Sequence, residues 1–244
     1  MFPWNLTHCS MKSKQLVMTD PTEAMARATL AIVDVDREGT LRERIRMRRM
    51  LAMAYAHTNQ FGEALTICQE AELLPGALEA QTEVARVQLA SMQPLANLDR
   101  IDEAIAAGES AFQVLEDHDG GALAGRAAFN IGSIYAMTGR PAQALPYFER
   151  ARAFLSGEPV LLGQIESNRG TALAALDRFR EAEAAFEHAA LLLNTDEMSW
   201  SSAIAEGNLA DLAARQGPSI AVCVISRHRG GGWNETKRVV TLAG

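Results

Sequence analysis

Three arginines recur at equal spacing along the chain. Arg46, Arg86 and Arg126 follow one another at intervals of 40 residues, and we call them the arginine row. Guanidinium groups bind carboxylates through charge-assisted hydrogen bonds that contribute about 1.5–3 kcal/mol each when shielded. The chain carries a formal net charge of -7, so a basic row within it points to an acidic peptide or a terminal carboxylate as ligand. A plainer explanation stays open, since arginine is also a good helix former with a solvated charged head.

Other reactive side chains lack the spacing of a catalytic or metal site. Cys9, Cys68 and Cys223 lie too far apart for a disulfide or zinc motif, which suits a reducing cytosol. The sequence has no glycine-rich phosphate loop, no nucleophile paired with histidine and no paired carboxylates in a plausible cleft. Residues 117–119, Asp-His-Asp, fall between two predicted hairpins, where they form a turn and cap the next helix. We therefore predict a protein that is not an enzyme and needs no cofactor and no metal.

The arginine-rich run 41–50 is the feature that most resembles a nucleic-acid-binding segment. Its arginines point several ways around one helix, Glu43 interrupts them, and no aromatic platform accompanies them. The acidic overall charge also argues against a nucleic-acid partner. Residues 1–20 contain no apolar run long enough for a signal peptide or a membrane span. We expect a cytoplasmic protein with no nucleic-acid and no membrane partner.

A repeated element must position these residues. Segments 50–71, 127–151 and 167–189 resemble one another, each with two apolar stretches separated by a short polar turn. When the turns are aligned, the residue just after each turn occupies an equivalent place in every unit, and we call it the phase position. Successive phase positions are 40, 40, 38 and 40 residues apart. The phase positions are Phe61, Ile101, Pro141, Phe179 and Ser219. A fixed period of this size predicts a solenoid of helical hairpins that bury their apolar faces against their neighbours.

Each unit is predicted to contain a first helix, a turn and a second helix. The first helices are expected to begin near Ile45, Ala85, Gly125, Gly163 and Ala203. In four units the second helix carries an alanine three residues after the phase position, namely Ala64, Ala104, Ala144 and Ala182. On the first helices, Gly132 and Gly170 would let the partner helix approach closely. The predicted fold class is all-α.

The best-formed unit resembles the tetratricopeptide repeat. Its matching residues are Asn130, Ile131, Gly132, Tyr135, Gly139, Ala144, Phe148 and Ala151. The resemblance covers residues 45–217, and the repeats exceed the usual length of about 34 residues. Arrays of such longer repeats are similar to those beside CHAT-type caspase-like peptidases. The unit at 85–116 departs most, with Met92 in place of the first-helix glycine and Gly108 in place of the second-helix aromatic residue.

The resemblance implies an α-α superhelix whose first helices line a concave groove. Counting at about 100° per residue places the arginine row and further side chains on the groove face. The predicted peptide-binding residues are Arg46, Arg49, His57, Arg86, Asn97, Arg126 and Phe129. The expected function is a non-catalytic protein–protein interaction scaffold that binds a peptide or a helix. The alternative is a regulatory or substrate-recruiting arm of a larger CHAT-type peptidase, signalling protein or transcription regulator whose effector domain is absent.

The sequence divides into three predicted segments. Residues 1–19 are expected to be disordered, 20–217 to form the repeat domain, with an unpaired helix capped by Asp20, and 218–244 to form a basic tail. Two explanations of the tail compete: a native cap with a short strand, or a truncated or out-of-frame end of a longer array. We favour the second, since the helix at 196–216 otherwise lacks its hairpin partner. Its uncovered apolar stripe then predicts self-association.

Overall fold

Nine α-helices form most of the part of the chain that the structure, a computed structural model, describes. The described residues are 17, 19–118, 121–193, 207–208, 222–225 and 237–240. The helices are α1 (Pro21–Glu38), α2 (Leu41–His57), α3 (Phe61–Glu72), α4 (Gln81–Asn97), α5 (Ile101–His118), α6 (Ala122–Met137), α7 (Pro141–Phe154), α8 (Pro159–Ala175) and α9 (Phe179–Leu193). A short 3-10 helix, Ala77–Ala80, precedes α4. The chain forms two compact units, Met1–Ile134 and Tyr135–Gly244.

Capping residues fix the starts of the first two helices. Asp20 accepts a hydrogen bond from the backbone N–H of Glu23 at 3.0 Å, as its predicted capping role requires. Thr40 and Glu43 form a capping box at the start of α2, and the Thr40 N–H donates to Glu43 Oε2 at 2.8 Å. The first helices α2, α4, α6 and α8 begin three or four residues before the predicted positions. The predicted helix starts lie too far along the chain because the helical spacing of apolar residues begins only after the first turn.

The turns within the four described hairpins share one backbone geometry. The residue two positions before the phase position has a left-handed φ: Asn59 60°, Asp99 60°, Gly139 73° and Asp177 57°. The N–H of the following residue donates to the carbonyl five residues earlier, at 2.8–3.0 Å in these turns. This closure satisfies a carbonyl at the end of the first helix, and glycine, asparagine and aspartate tolerate the conformation best.

The alanines predicted on the second helices are fully buried. Their exposed fraction is 0% at Ala64, Ala104, Ala144 and Ala182. A larger side chain at this depth would force the helices apart, since packed interiors have no spare volume. The predicted repeat phase is therefore confirmed in the four units whose phase positions are described, Ser219 lying outside them, and the all-α helical repeat superhelix is confirmed.

A small residue packs against a large one in two hairpins, in opposite orders. In α8, a Cβ on Gly170 would lie 2.6 Å from the Phe186 ring of α9, so glycine is what lets the ring approach. In the hairpin of α4 and α5, a Cβ on Gly108 would lie 2.6 Å from Cε of Met92. The two pairs occupy the same repeat positions. The departure of the unit at 85–116 is thus an exchange of the large and the small residue, and not a loss of the contact.

Two short strands lie within the predicted tail. β1 (Val222–Ile225) and β2 (Lys237–Val240) pair antiparallel, with Val222 opposite Val240. A short strand is what the capping explanation of the tail expects. Leu209 and Leu212, which the tail would have to cover, lie outside the described residues, as do 1–16 and most of the helix at 196–216. The three-segment division, the origin of the tail and self-association stay predictions.

Candidate functional site

Two members of the arginine row meet at a buried carboxylate. Arg46 of α2 donates from Nε and Nη2 to Oε1 of Glu83, at 2.8 and 2.6 Å. Arg86 Nη1 of α4 lies 3.4 Å from the same oxygen. The side chain of Glu83 is only 5% exposed. Glu83 was missing from the predicted site because helical periodicity assigns carboxylates to the exterior, and its spacing from Arg86 on one helix face was the only available signal.

The start of α4 positions Glu83. It is the third residue of this helix, where the positive end of the helix dipole favours a carboxylate. The N-cap residue is Ala80, and no side chain caps the first-turn amides. The two arginines compensate a buried charge that would otherwise cost several kcal/mol.

A cavity of about 300 Å³ opens beside this cluster, and we call it the α4 cavity. Its lining residues are Arg42, Arg46, Glu79, Ala80, Gln81, Thr82, Glu83, Arg86 and His118. Arg42 is exposed and makes no hydrogen bond or ion pair with any residue that the structure describes. His118 Nδ1 lies 3.0 Å from the carbonyl oxygen of Val114. The described residues of the wall therefore offer mainly hydrogen-bond donors, and their net charge is positive.

One oxygen of Glu83 is left without a partner. Oε1 is shared by two arginines, whereas Oε2 is buried and accepts no hydrogen bond within the described part of the chain. Leaving a buried acceptor unsatisfied costs roughly 1–3 kcal/mol.

The other predicted site residues are distributed over the same helices. Arg49 lies near the cluster, where burial lowers the pKa of its guanidinium and the charge of Glu83 opposes that shift. Of the remaining four predicted residues, His57, Asn97 and Arg126 are exposed and Phe129 is half-buried. None of these four lines the α4 cavity. The structure thus brings Arg46, Arg49 and Arg86 together around Glu83, and the assignment of all seven residues to peptide binding stays a prediction.

The second unit contains a buried ion network of its own. Glu166 of α8 is 1% exposed. Arg152 and His188 lie 2.6 and 3.3 Å from its Oε1, and Arg169 lies 3.2 Å from its Oε2. Arg169, which breaks the apolar stripe in sequence, also donates to Glu149 at 2.6 Å. A cavity of about 200 Å³ lies beside the network. Because both oxygens of Glu166 have partners, the network links α7, α8 and α9 without requiring a ligand.

Three observations concern nucleophilic catalysis, metal binding and membrane insertion. Burial raises the pKa of the Cys68 thiol to about 12, so this cysteine stays protonated at neutral pH and is a poor nucleophile. Over the residues that can be described, no three side chains of metal-ligating type come together. None of the helices there has the length and apolar character that crossing a bilayer requires.

Comparison with known families identifies one repeat. Residues 125–151, which run from α6 into α7, match the family described as Tetratricopeptide repeat. They coincide with the best-formed unit of the sequence. No curated protein matches the chain significantly.

Solved structures share the fold at low sequence identity. BtubC (BKLC) from P. vanneervenii is 16% identical with a TM-score of 0.63, over 96% of this chain and 96% of that chain. Rap protein complexed with competence and sporulation factor is 17% identical with a TM-score of 0.59, over 83% and 62%. PlcR from Bacillus thuringiensis, complexed with the peptide PapR7 and DNA, is 15% identical with a TM-score of 0.61, over 79% and 72%. These likenesses support the tetratricopeptide-like fold.

Proposed function

We propose that this chain is a non-catalytic protein–protein interaction scaffold that binds a peptide or a helix across its first helices. The observation that carries the proposal is the convergence of Arg46 and Arg86, from two successive first helices, at one cavity of about 300 Å³. The match to the tetratricopeptide repeat supports it, as does the likeness to proteins solved with competence and sporulation factor and with PapR7. Its partner is a protein or peptide, and its place of action is the cytoplasm.

The proposed peptide is acidic. Among the described residues of the cavity wall, three arginines outnumber two glutamates, and Arg49 adds a further positive charge beside them. Arginine forks suit carboxylates, and a partly shielded site strengthens such pairs. The exposed members of the predicted set, Arg126 among them, would extend the contact along the chain of first helices.

A peptide selection tests this proposal. Peptides of about a dozen residues are selected from a random library on the intact chain, and their affinities are measured by fluorescence anisotropy. We expect enrichment of aspartate and glutamate, and about tenfold weaker binding to Arg86→Gln and to Arg126→Glu, since each removes a charge-assisted contact. Arg86→Gln is preferred to charge reversal because it places no second carboxylate beside Glu83.

Arg180→Glu is the matched control for Arg126→Glu. Arg180 lies on α9, is exposed and undergoes the same change of charge. Its variant should bind the selected peptides within about twofold of the unaltered chain. Equal affinity for all three variants, or a selection that yields no binding peptide, would contradict the proposal.

A second candidate function is the regulatory arm of a larger protein. PlcR, of which this chain covers 72%, was solved with both a peptide and DNA. That observation favours a transcription regulator among the alternatives, whereas an association with a CHAT-type peptidase rests on the sequence resemblance alone. Sequencing the gene beyond the codon for Gly244, in all three frames, tests this candidate, because an adjoining DNA-binding or peptidase domain would establish it.

A further inference from the structure

The helix α1 occupies the place of a second helix in the repeat. It begins at Pro21, 40 residues before Phe61, where the second helix α3 begins. Ala28 and Val35 of α1 are buried in one cluster with residues of α2. One side of α1 is therefore committed to the repeat domain.

The opposite side of α1 carries an apolar stripe. Ala26, Leu30 and Val33 are exposed, Leu30 to 75% and Val33 to 60%. At 100° per residue, the three lie within about 60° of one another, on the side of the helix that faces away from its buried residues. We call these three residues the α1 face. Their spacing of four and then three residues is the heptad pattern by which one helix packs along another.

The other second helices differ from α1 at the centre of this stripe. Leu30 lies nine residues after the start of its helix. The corresponding residue is polar in all four later second helices: Glu70, Ser110, Arg150 and His188. Single exposed apolar residues are common on protein surfaces, whereas a continuous stripe on one helix marks a contact surface. The α1 face is therefore a surface that a second helix would cover.

The charged residues beside the α1 face match a second copy of the same helix. Arg27 and Asp34 are exposed and lie on one flank of the stripe, at its opposite ends. When two copies lie antiparallel, the same flanks adjoin, so Arg27 of each copy lies within about one helical turn of Asp34 of the other. A parallel arrangement would instead place like charges opposite each other. The charges thus favour an antiparallel pair of identical helices.

Both charged groups can take part in such a contact. Asp34 forms no hydrogen bond and no ion pair with a residue that the structure describes. Arg27 pairs with Glu23 of its own helix. Exposed pairs of this kind contribute little to stability, so the guanidinium can also contact a second carboxylate.

We propose that two copies of this chain associate through the α1 face, with the two α1 helices antiparallel, the apolar stripe at the centre and two Arg27–Asp34 ion pairs on its flank. The dimer goes beyond the proposed function and does not depend on peptide binding. It also uses a different surface from the helix at 196–216. A contact along one helix of 18 residues is smaller than the roughly 800 Å² per partner of a standard interface, so we expect a Kd in the micromolar range.

Sedimentation velocity of the intact chain tests the stripe. Between about 1 and 300 μM, the unaltered chain should pass from monomer to dimer. Leu30→Gln should weaken dimerisation at least about tenfold, and it removes no buried contact within the monomer. Leu73→Gln is the matched control, because Leu73, at the end of α3, is also an exposed leucine and should leave the Kd within about twofold. A chain that stays monomeric throughout, or Leu30→Gln that dimerises as well as the unaltered chain, would overturn the proposal.

Exchange of charge tests the antiparallel direction. Arg27→Glu and Asp34→Arg each place like charges opposite each other, so each variant alone should associate about tenfold more weakly. In an equimolar mixture of the two variants, every position 27 meets a position 34 of opposite charge in the mixed dimer. Association should then return to within about twofold of the unaltered chain, a recovery that nonspecific association of apolar surfaces does not produce. A mixture that associates no better than the separate variants would also overturn the proposal.

Discussion

Two glutamates are buried on first helices, and their surroundings differ in one respect. Glu166 has partners at both oxygens, supplied by two arginines and a histidine. Glu83 has arginine partners at Oε1 and none at Oε2 among the described side chains. Breaking either cluster should destabilise the fold, since it would leave a buried charge uncompensated. Only the second leaves one carboxylate oxygen without a hydrogen bond among the described residues.

A third buried charge gives a prediction about pH. Arg48 is 10% exposed and donates two hydrogen bonds to Asp36, both at 2.7 Å. The hydrogen bond from Arg48 holds the pKa of the Asp36 carboxyl below its ordinary value, although partial burial opposes this. Its stabilisation is therefore complete above the ordinary aspartate pKa of about 4 and is lost as the pH falls through the lower pKa of the folded protein.

Asp36→Asn should lower the free energy of unfolding near pH 7 by about 1 kcal/mol, because it removes an ion pair whose carboxylate is 38% exposed and leaves Arg48 with only Glu70, at 3.8 Å, as an acidic partner. The difference from the unaltered chain should shrink at a pH well below the ordinary aspartate pKa of about 4, because the Asp36 carboxyl takes up a proton as the pH falls through its lowered pKa. Urea unfolding at both pH values measures this. Glu103→Gln, at the exposed pair with Arg100, is the control and should leave the urea midpoint unchanged. A difference for Asp36→Asn that does not depend on pH would contradict the assignment.

At the scale of the helical hairpin, the turn residue decides how the first helix ends. Gly139 has a φ of 73°, with no atom within 4 Å of an added Cβ. Gly62, in the first turn of α3, is equally uncrowded. Gly139→Ala should lower the free energy of unfolding by about 1 kcal/mol through backbone strain alone. Gly62→Ala should raise it by roughly 0.5 kcal/mol through helix propensity. Thermal unfolding of the two variants measures the opposite signs, and a shift of the same sign in both would refute the turn geometry.

The exchanged pair of Met92 and Gly108 gives a second prediction at this scale. Gly108→Ala would bring a methyl group against Met92 Cε, and Met92→Ala would leave a void. Together the changes should cost less than their sum, with a coupling of about 0.5–1 kcal/mol, because the new methyl occupies part of the void, although its contact with Ile131 Cγ1 at 2.7 Å remains. Urea unfolding of the two single variants and the double variant measures the coupling. Additive effects would show that the two residues do not share one packing site.

The repeat phase could be predicted from the sequence, and the ion clusters could not. The alanines after each phase position mark buried points because small apolar residues recur there at a constant interval. Glu83 and Glu166 escaped prediction because each pairs with an arginine three residues later on its own helix and also with an arginine on another helix, and no local pattern contains the second pairing. Among the turn residues with a left-handed φ, only Gly139 could be predicted to adopt it, because aspartate and asparagine are common in turns of every type.

At the scale of the whole chain, repeats stabilise themselves mainly through their neighbours. The Phe186 ring leaves no space for a side chain at Gly170, so Gly170→Ala should cost about 1–3 kcal/mol. We expect faster hydrogen exchange in α8 and α9, with unchanged protection in α2 and α3, as measured by mass spectrometry. Loss of protection in all helices to the same extent would show that the chain unfolds as one cooperative body.

The exchanged pair also limits how the protein can be recombined. A second helix carrying phenylalanine, set beside α4, would confront Met92 with a second large side chain at one position. A second helix carrying glycine, set beside α8, would place it opposite Gly170 and leave a hole where Phe186 now fills the space. A single helix can therefore not be exchanged between these two hairpins without loss of packing. Libraries of shuffled repeats should therefore join fragments between hairpins and not within them. A consensus sequence that chooses each position independently would lose the pairing of one large with one small residue within a hairpin.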